Sequence, residues 1–175
     1  MVGAEVISYS EEFDAALEQK LRPLETSGCE IKTVILFGSL SNRLPKLAGD
    51  GMTLLSDVDI LVIIDDAHMR ERGDTHFKFG HRVGVNGIIN PFSRLMPSAE
   101  ILVNSASVLE VQLAMLIQIC NLANKGLGTL RLSETAFLQA LSSGLILRGE
   151  IPFRIQPHIE SAIEAVTGCY NRTND

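Results

Sequence analysis

Tryptophan is missing from this chain, aromatic residues make up only 5% of it, and no run of Lys and Arg occurs along it. Sequence-tolerant binding of single-stranded nucleic acid needs stacking faces, and duplex binding needs a basic footprint. Neither is supplied, because 15 basic residues against 21 acidic ones leave a formal charge of -6. A long nucleic-acid partner is therefore not expected, although a bound metal can invert the local field enough for an acidic protein to take a nucleotide. Cysteine is scarce as well. Cys29, Cys120 and Cys169 are odd in number and lack ligand-like spacing, which argues for three reduced thiols over a disulfide scaffold or a zinc centre. Near the start stand Glu5, Glu11 and Glu12 in place of the basic lead and apolar run of a secretory leader. The apolar stretch from Leu109 to Ile119 is interrupted by Glu110 and Gln112 and falls short of a spanning helix. These absences together predict a cytoplasmic protein without membrane attachment. No internal repeat or low-complexity tract is visible.

What remains is an ordinary globular composition, 46% apolar and 21% charged over 175 residues. That is enough chain for one domain, 1–175, to bury its own core. Ser10 is placed to cap a helix running to about Leu24, with Phe13, Leu17, Leu21 and Leu24 at helical spacing and Pro23 near its end. Strands are expected over Ile31–Phe37, from Ile60 to Ile64, and over His81–Ile89. A short helix follows Asp65, and a further strand opens near Glu100. Ser107 to Asn124 is the longest helix, apolar on more than one face, and so either central or shared with a second subunit. A helix from Ser133, a strand over Leu145–Glu150 and a last helix from His158 to Val166 complete the chain. The fold class is α/β (α+β): a small mixed sheet with helices packed on one side and a helical C-terminal part.

Two stretches carry chemistry. The first strand breaks at Gly38-Ser39, where a tight turn leaves backbone N–H groups free for phosphate. The second opens as Ser56-Asp57-Val58-Asp59-Ile60, and alternation puts Asp57 and Asp59 on one side of it. Two carboxylates so placed repel each other, and a hard divalent cation relieves the repulsion; magnesium commonly binds one or two carboxylates together with substrate phosphates. Arg43 is the nearest cation suited to a triphosphate, with Lys46 beyond it as an exposed charge.

This pair of stretches, Leu36-Phe37-Gly38-Ser39 and Ser56-Asp57-Val58-Asp59-Ile60, resembles the signature of the DNA polymerase beta-type nucleotidyltransferase superfamily, in particular its small stand-alone bacterial members. The resemblance covers residues 30 to 90. It implies a nucleotidyltransferase-like mixed sheet flanked by helices, with Asp57 and Asp59 as catalytic metal ligands for Mg2+. It further implies that Gly38, Ser39 and Arg43 hold a nucleoside triphosphate, with ATP the expected donor, and that a protein or small-molecule hydroxyl is the acceptor. Some members of the family work beside a separate helical partner protein. The chain departs from the pattern at two places. Ser41-Asn42-Arg43 stands where an Ala-Arg-Gly-like run is usual, and Gly84 and Asn86 stand where the family carries a third carboxylate on the strand beside Asp-x-Asp. An amide cannot act as a general base, so either Asn86 serves as a neutral ligand or Glu100 supplies the acid from a neighbouring element. The alternative is a catalytically weak or inactive module that keeps the fold for binding or regulation.

Overall fold

A computed structural model of the chain describes residues 11–38, 41, 58–71, 81–85, 99–131 and 135–173. Helix α1 (Glu11–Thr26) leads into strand β1 (Ile31–Phe37), followed by β2 (Val58–Ile64), the short helix α2 (Asp66–Glu71), β3 (His81–Val85) and β4 (Ala99–Ser105). Then come α3 (Ala106–Asn124), α4 (Ala136–Ser143), β5 (Leu145–Gly149), a 3-10 turn (Phe153–Ile155) and α5 (Gln156–Thr173). The strands form one mixed sheet in the order β3-β4-β2-β1-β5. β1 is antiparallel to β2 and β5, β3 is antiparallel to β4, and β2 and β4 are parallel.

β1 and β2 read as continuous apolar runs because both of their faces are covered. On one face Val34, Leu36, Ile60, Val62 and Ile64 pack under Leu17, Leu21 and Leu24 of α1. On the other, Ile35, Phe37, Leu61 and Ile63 pack under α3, α4 and α5. The expectation of helices on one side is therefore corrected: an apolar residue at every position from Ile60 to Ile64 leaves two faces to bury, and each needs its own helical layer. Cys29, Cys120 and Cys169 are buried in these layers and form no disulfide.

The first and last helices run past the ends expected of them. α1 continues one turn past Pro23 to Thr26. α5 extends from Gln156 to Thr173, well past Val166, because Ile155, Ile159, Ala162 and Cys169 keep the same line buried. α3 is the one helix among the described residues that is long and apolar enough to cross a membrane, so the expected shortfall in its length does not hold. Leu109, Leu113, Leu116 and Cys120 are nonetheless buried in the layer under the sheet. Neither of its polar interruptions is idle. Gln112 is buried and its Oε1 accepts from Asn104 Nδ2 of β4 at 3.1 Å, while Glu110 pairs with Arg154 at 3.2 Å.

Asp65 joins β2 to α2 and caps the short helix. Its Oδ1 accepts from the His68 backbone N–H at 3.0 Å and lies 2.7 Å from His68 Nδ1, and its Oδ2 accepts from the Glu30 N–H at 2.8 Å. Burial pushes the carboxyl upward, but these hydrogen bonds from His68 and Glu30 outweigh it and hold the pKa at about 2, against an ordinary value of 3.8. A depressed carboxylate contributes stability that is present above the unfolded value and is lost as pH falls through the folded one. Asp65→Asn should therefore cost about 1–2 kcal/mol at pH 7 and progressively less between pH 4 and pH 2. Urea unfolding of both proteins across that range checks it; a penalty independent of pH would contradict the assignment.

Candidate active site at the Gly38–Asp59 corner

The antiparallel pairing of β1 with β2 brings the two motif stretches together. Phe37, the last residue of β1, stands in register with Asp59, the second residue of β2. Gly38 follows immediately with φ 76°, a left-handed conformation that only glycine adopts without strain. The space a side chain would fill at Gly38 is taken by the Asp59 carboxylate. A Cβ built there would fall onto Asp59 Oδ2 and lie 3.3 Å from its Cγ. The half-buried Asp59 is thus seated directly against the turn.

Beyond the role toward phosphate expected of this glycine, it has one toward the aspartate. Gly38→Val would force the backbone out of the left-handed region and displace the carboxylate as well. Loss of nucleotide affinity by about tenfold or more is expected, measured by calorimetry in the presence of magnesium. Unchanged affinity in a folded Gly38→Val protein would make the turn only a connector.

The register continues across the sheet. Asp59 pairs with Glu100 of β4, and Glu100 with Gly84 of β3, so one row runs Phe37, Asp59, Glu100, Gly84. This changes the expected layout. The strand beside β2 is β4, and β3 lies one place further out at the edge. The position in register with Asp59 on the adjoining strand is therefore Glu100, not a residue of the His81–Val85 strand. Asp57, Ser39, Arg43 and Asn86 lie outside the described residues. Among the described residues there is no group of three or more His, Cys, Asp or Glu able to hold a metal ion. Asp59 is the one expected ligand whose side chain is described.

One contact here escaped the sequence reading. Ser41 Oγ donates to the Gly38 carbonyl at 3.0 Å, closing the turn from its far side. A serine three residues beyond a strand-ending glycine is a usable signal for such a closure.

A cleft of about 520 Å³ lies at the opposite end of the sheet, lined by Lys32, Ile63, Asp65, Asp66, Glu150 and Arg154 among others. Asp65 lies six residues beyond Asp59 along the chain, about 20 Å for an extended strand. Both of the cleft's cations are paired: Lys32 with Glu30, and Arg154 with Asp66 at 3.0 Å. Burial raises the Asp66 carboxyl, but hydrogen bonds from the Ser107 backbone and from the Ser105 and Ser107 hydroxyls, together with the Arg154 charge, bring it below the usual range. The Asp66 contacts with Ser107 and Arg154 tie the start of α3 to the turn before α5, a structural clamp that leaves the Gly38–Asp59 corner as the candidate for chemistry. No protein-family model matches the chain, and no curated protein matches it.

Proposed function

We propose that the protein is a magnesium-dependent nucleotidyltransferase that moves a nucleoside monophosphate from a nucleoside triphosphate, ATP by preference, to a hydroxyl of a protein or small molecule. The observation that carries the proposal is the seating of the Asp59 carboxylate against the left-handed Gly38 turn, which joins the two motif stretches in one corner. The register of Asp59 with Glu100 adds to it, since Glu100 is an acidic residue on the strand next to β2.

The donor set suits a hard cation. Asp57 and Asp59 would hold magnesium, with Glu100 as the third acidic position. When bound, the ion supplies neutralisation of charge on the phosphates and stabilises it as it develops in the transfer. The chain's own residues do the rest. Gly38 and Ser39 hold the outer phosphates through backbone N–H and hydroxyl groups, Arg43 adds a fixed positive charge, and Glu100 orients and deprotonates the acceptor hydroxyl.

ATP should bind at least about tenfold more tightly with magnesium than in its absence, because the unscreened carboxylates repel a polyphosphate. Calorimetry with magnesium and with a chelator tests it, and equal affinity under both conditions would overturn the proposal. Pyrophosphate release then separates the roles of the acids. Glu100→Gln should abolish release without weakening the fold, and a fully active variant would return the third position to Asn86.

A further inference from the structure

We propose that Ser41 is a positioning residue for the Asp59 carboxylate, acting through the Gly38 turn; its consequence for metal binding rests on the reading of Asp59 as a metal ligand. A glycine in the left-handed region has little of its own to hold it there, since neighbouring basins are open to it at small cost. Among the described residues, two contacts constrain this one. On the strand side, Phe37 is paired in register with Asp59. On the loop side, the Ser41 hydroxyl donates to the Gly38 carbonyl at 3.0 Å. Fixing that oxygen fixes the peptide plane after Gly38, and with it the direction in which the bare Cα faces. That bare Cα is the surface on which Asp59 Oδ2 rests.

Ser41, Gly38 and Asp59 therefore form one chain of contacts from loop to strand. The hydroxyl of Ser41 is the only link that can be deleted without altering either the backbone's freedom or the ligand itself. Its hydrogen bond goes to the Gly38 carbonyl, so it acts on the carboxylate through the placement of the turn. Ser41 is half-buried and outside both apolar layers, and removing its oxygen opens no cavity in the core.

The test uses the full chain as wild type, Ser41→Ala, Ser41→Thr and Asp59→Asn, with two readouts. One is the affinity for Mn2+ alone by calorimetry. The other is the side-chain carboxyl 13C resonance of Asp59 in metal-free protein. Ser41→Ala should weaken Mn2+ binding by about three- to tenfold, shift the Asp59 resonance and leave the unfolding midpoint in place. Ser41→Thr, which keeps the hydroxyl, should restore both. An Asp59 resonance unmoved by Ser41→Ala, or a loss that Ser41→Thr does not rescue, would overturn the positioning role. If the resonance moves as expected but wild type and Asp59→Asn bind Mn2+ equally, the positioning role stands and the metal-ligand reading falls.

Discussion

Asp59→Asn should leave a folded protein whose nucleotidyl transfer is at least about a hundredfold slower than wild type. The substitution keeps the size and planarity of the side chain, so the amide still fits against Gly38 and the pairing with Phe37 is untouched. What it removes is the negative charge, the property that a hard cation and a triphosphate together require. Because the side chain is half-buried at a sheet corner and belongs to neither apolar cluster, stability should change by no more than about 0.5 kcal/mol. Pyrophosphate release under saturating magnesium and ATP measures the first effect, and thermal unfolding the second. A variant with undiminished release would exclude Asp59 from the chemistry, whatever its effect on stability.

The largest effect on stability should come from Gly149→Ala. Gly149 ends β5 with φ 69°, and a Cβ there would fall onto the carbonyl oxygen of Lys32, 3.0 Å from its carbon and 3.4 Å from the Thr33 Cα. Those are backbone atoms of the neighbouring strand and cannot swing aside. The contact sits beside a shift in register between β1 and β5, where Val34 pairs with Arg148 but Ile35 with Ile146. The Thr33 hydroxyl, donating to the Glu150 carbonyl at 2.6 Å, fixes the same place. Left-handed strain and the clash together should cost about 2–4 kcal/mol, lowering the melting temperature by roughly 5–15 °C. Gly168 supplies the control. A Cβ there meets nothing within 4 Å, and it lies inside α5, so Gly168→Ala should be stabilising by up to about 1 kcal/mol. Equal melting temperatures for the two variants would show that close approach at Gly149 is not what the fold depends on.

Local chemistry made much of this legible before any fold was known. The apolar run of β2, the leucine spacing of α1 and the turn at Gly38 each follow from a few neighbouring residues. Ser107 to Asn124 is helical as its pattern predicts, and its polar residues show what such a pattern leaves out. Gln112 looks like an interruption along one dimension, yet across the sheet it meets Asn104, eight residues earlier. Spacing along a helix tells which residues share a face, not which polar partner waits opposite that face.

The corner itself shows where such legibility stops. That the chain turns at Gly38 and that Asp59 stands at the entrance of a buried strand belong to residue type and alternation, and a reader of the chain can state both. That Asp59 rests on the bare Cα of Gly38 depends on the antiparallel register of β1 with β2, across a connection whose length permits many registers. The neighbour of β2 was harder still. Chain order suggests β3, but β4 takes the place through a parallel pairing, carrying Glu100 beside Asp59 and leaving Gly84 at the edge strand. Parallel strands are joined by long crossovers, and no short-range feature of the residues between them records which strand will be accepted as partner. The choice is made by burial on both faces at once: β2 is buried on both sides from Ile60 to Ile64, and it needs a neighbour whose own apolar residues serve both layers. Ile101 and Val103 meet one layer and Leu102 the other, so β4 satisfies that demand and the acidic pairing follows from it.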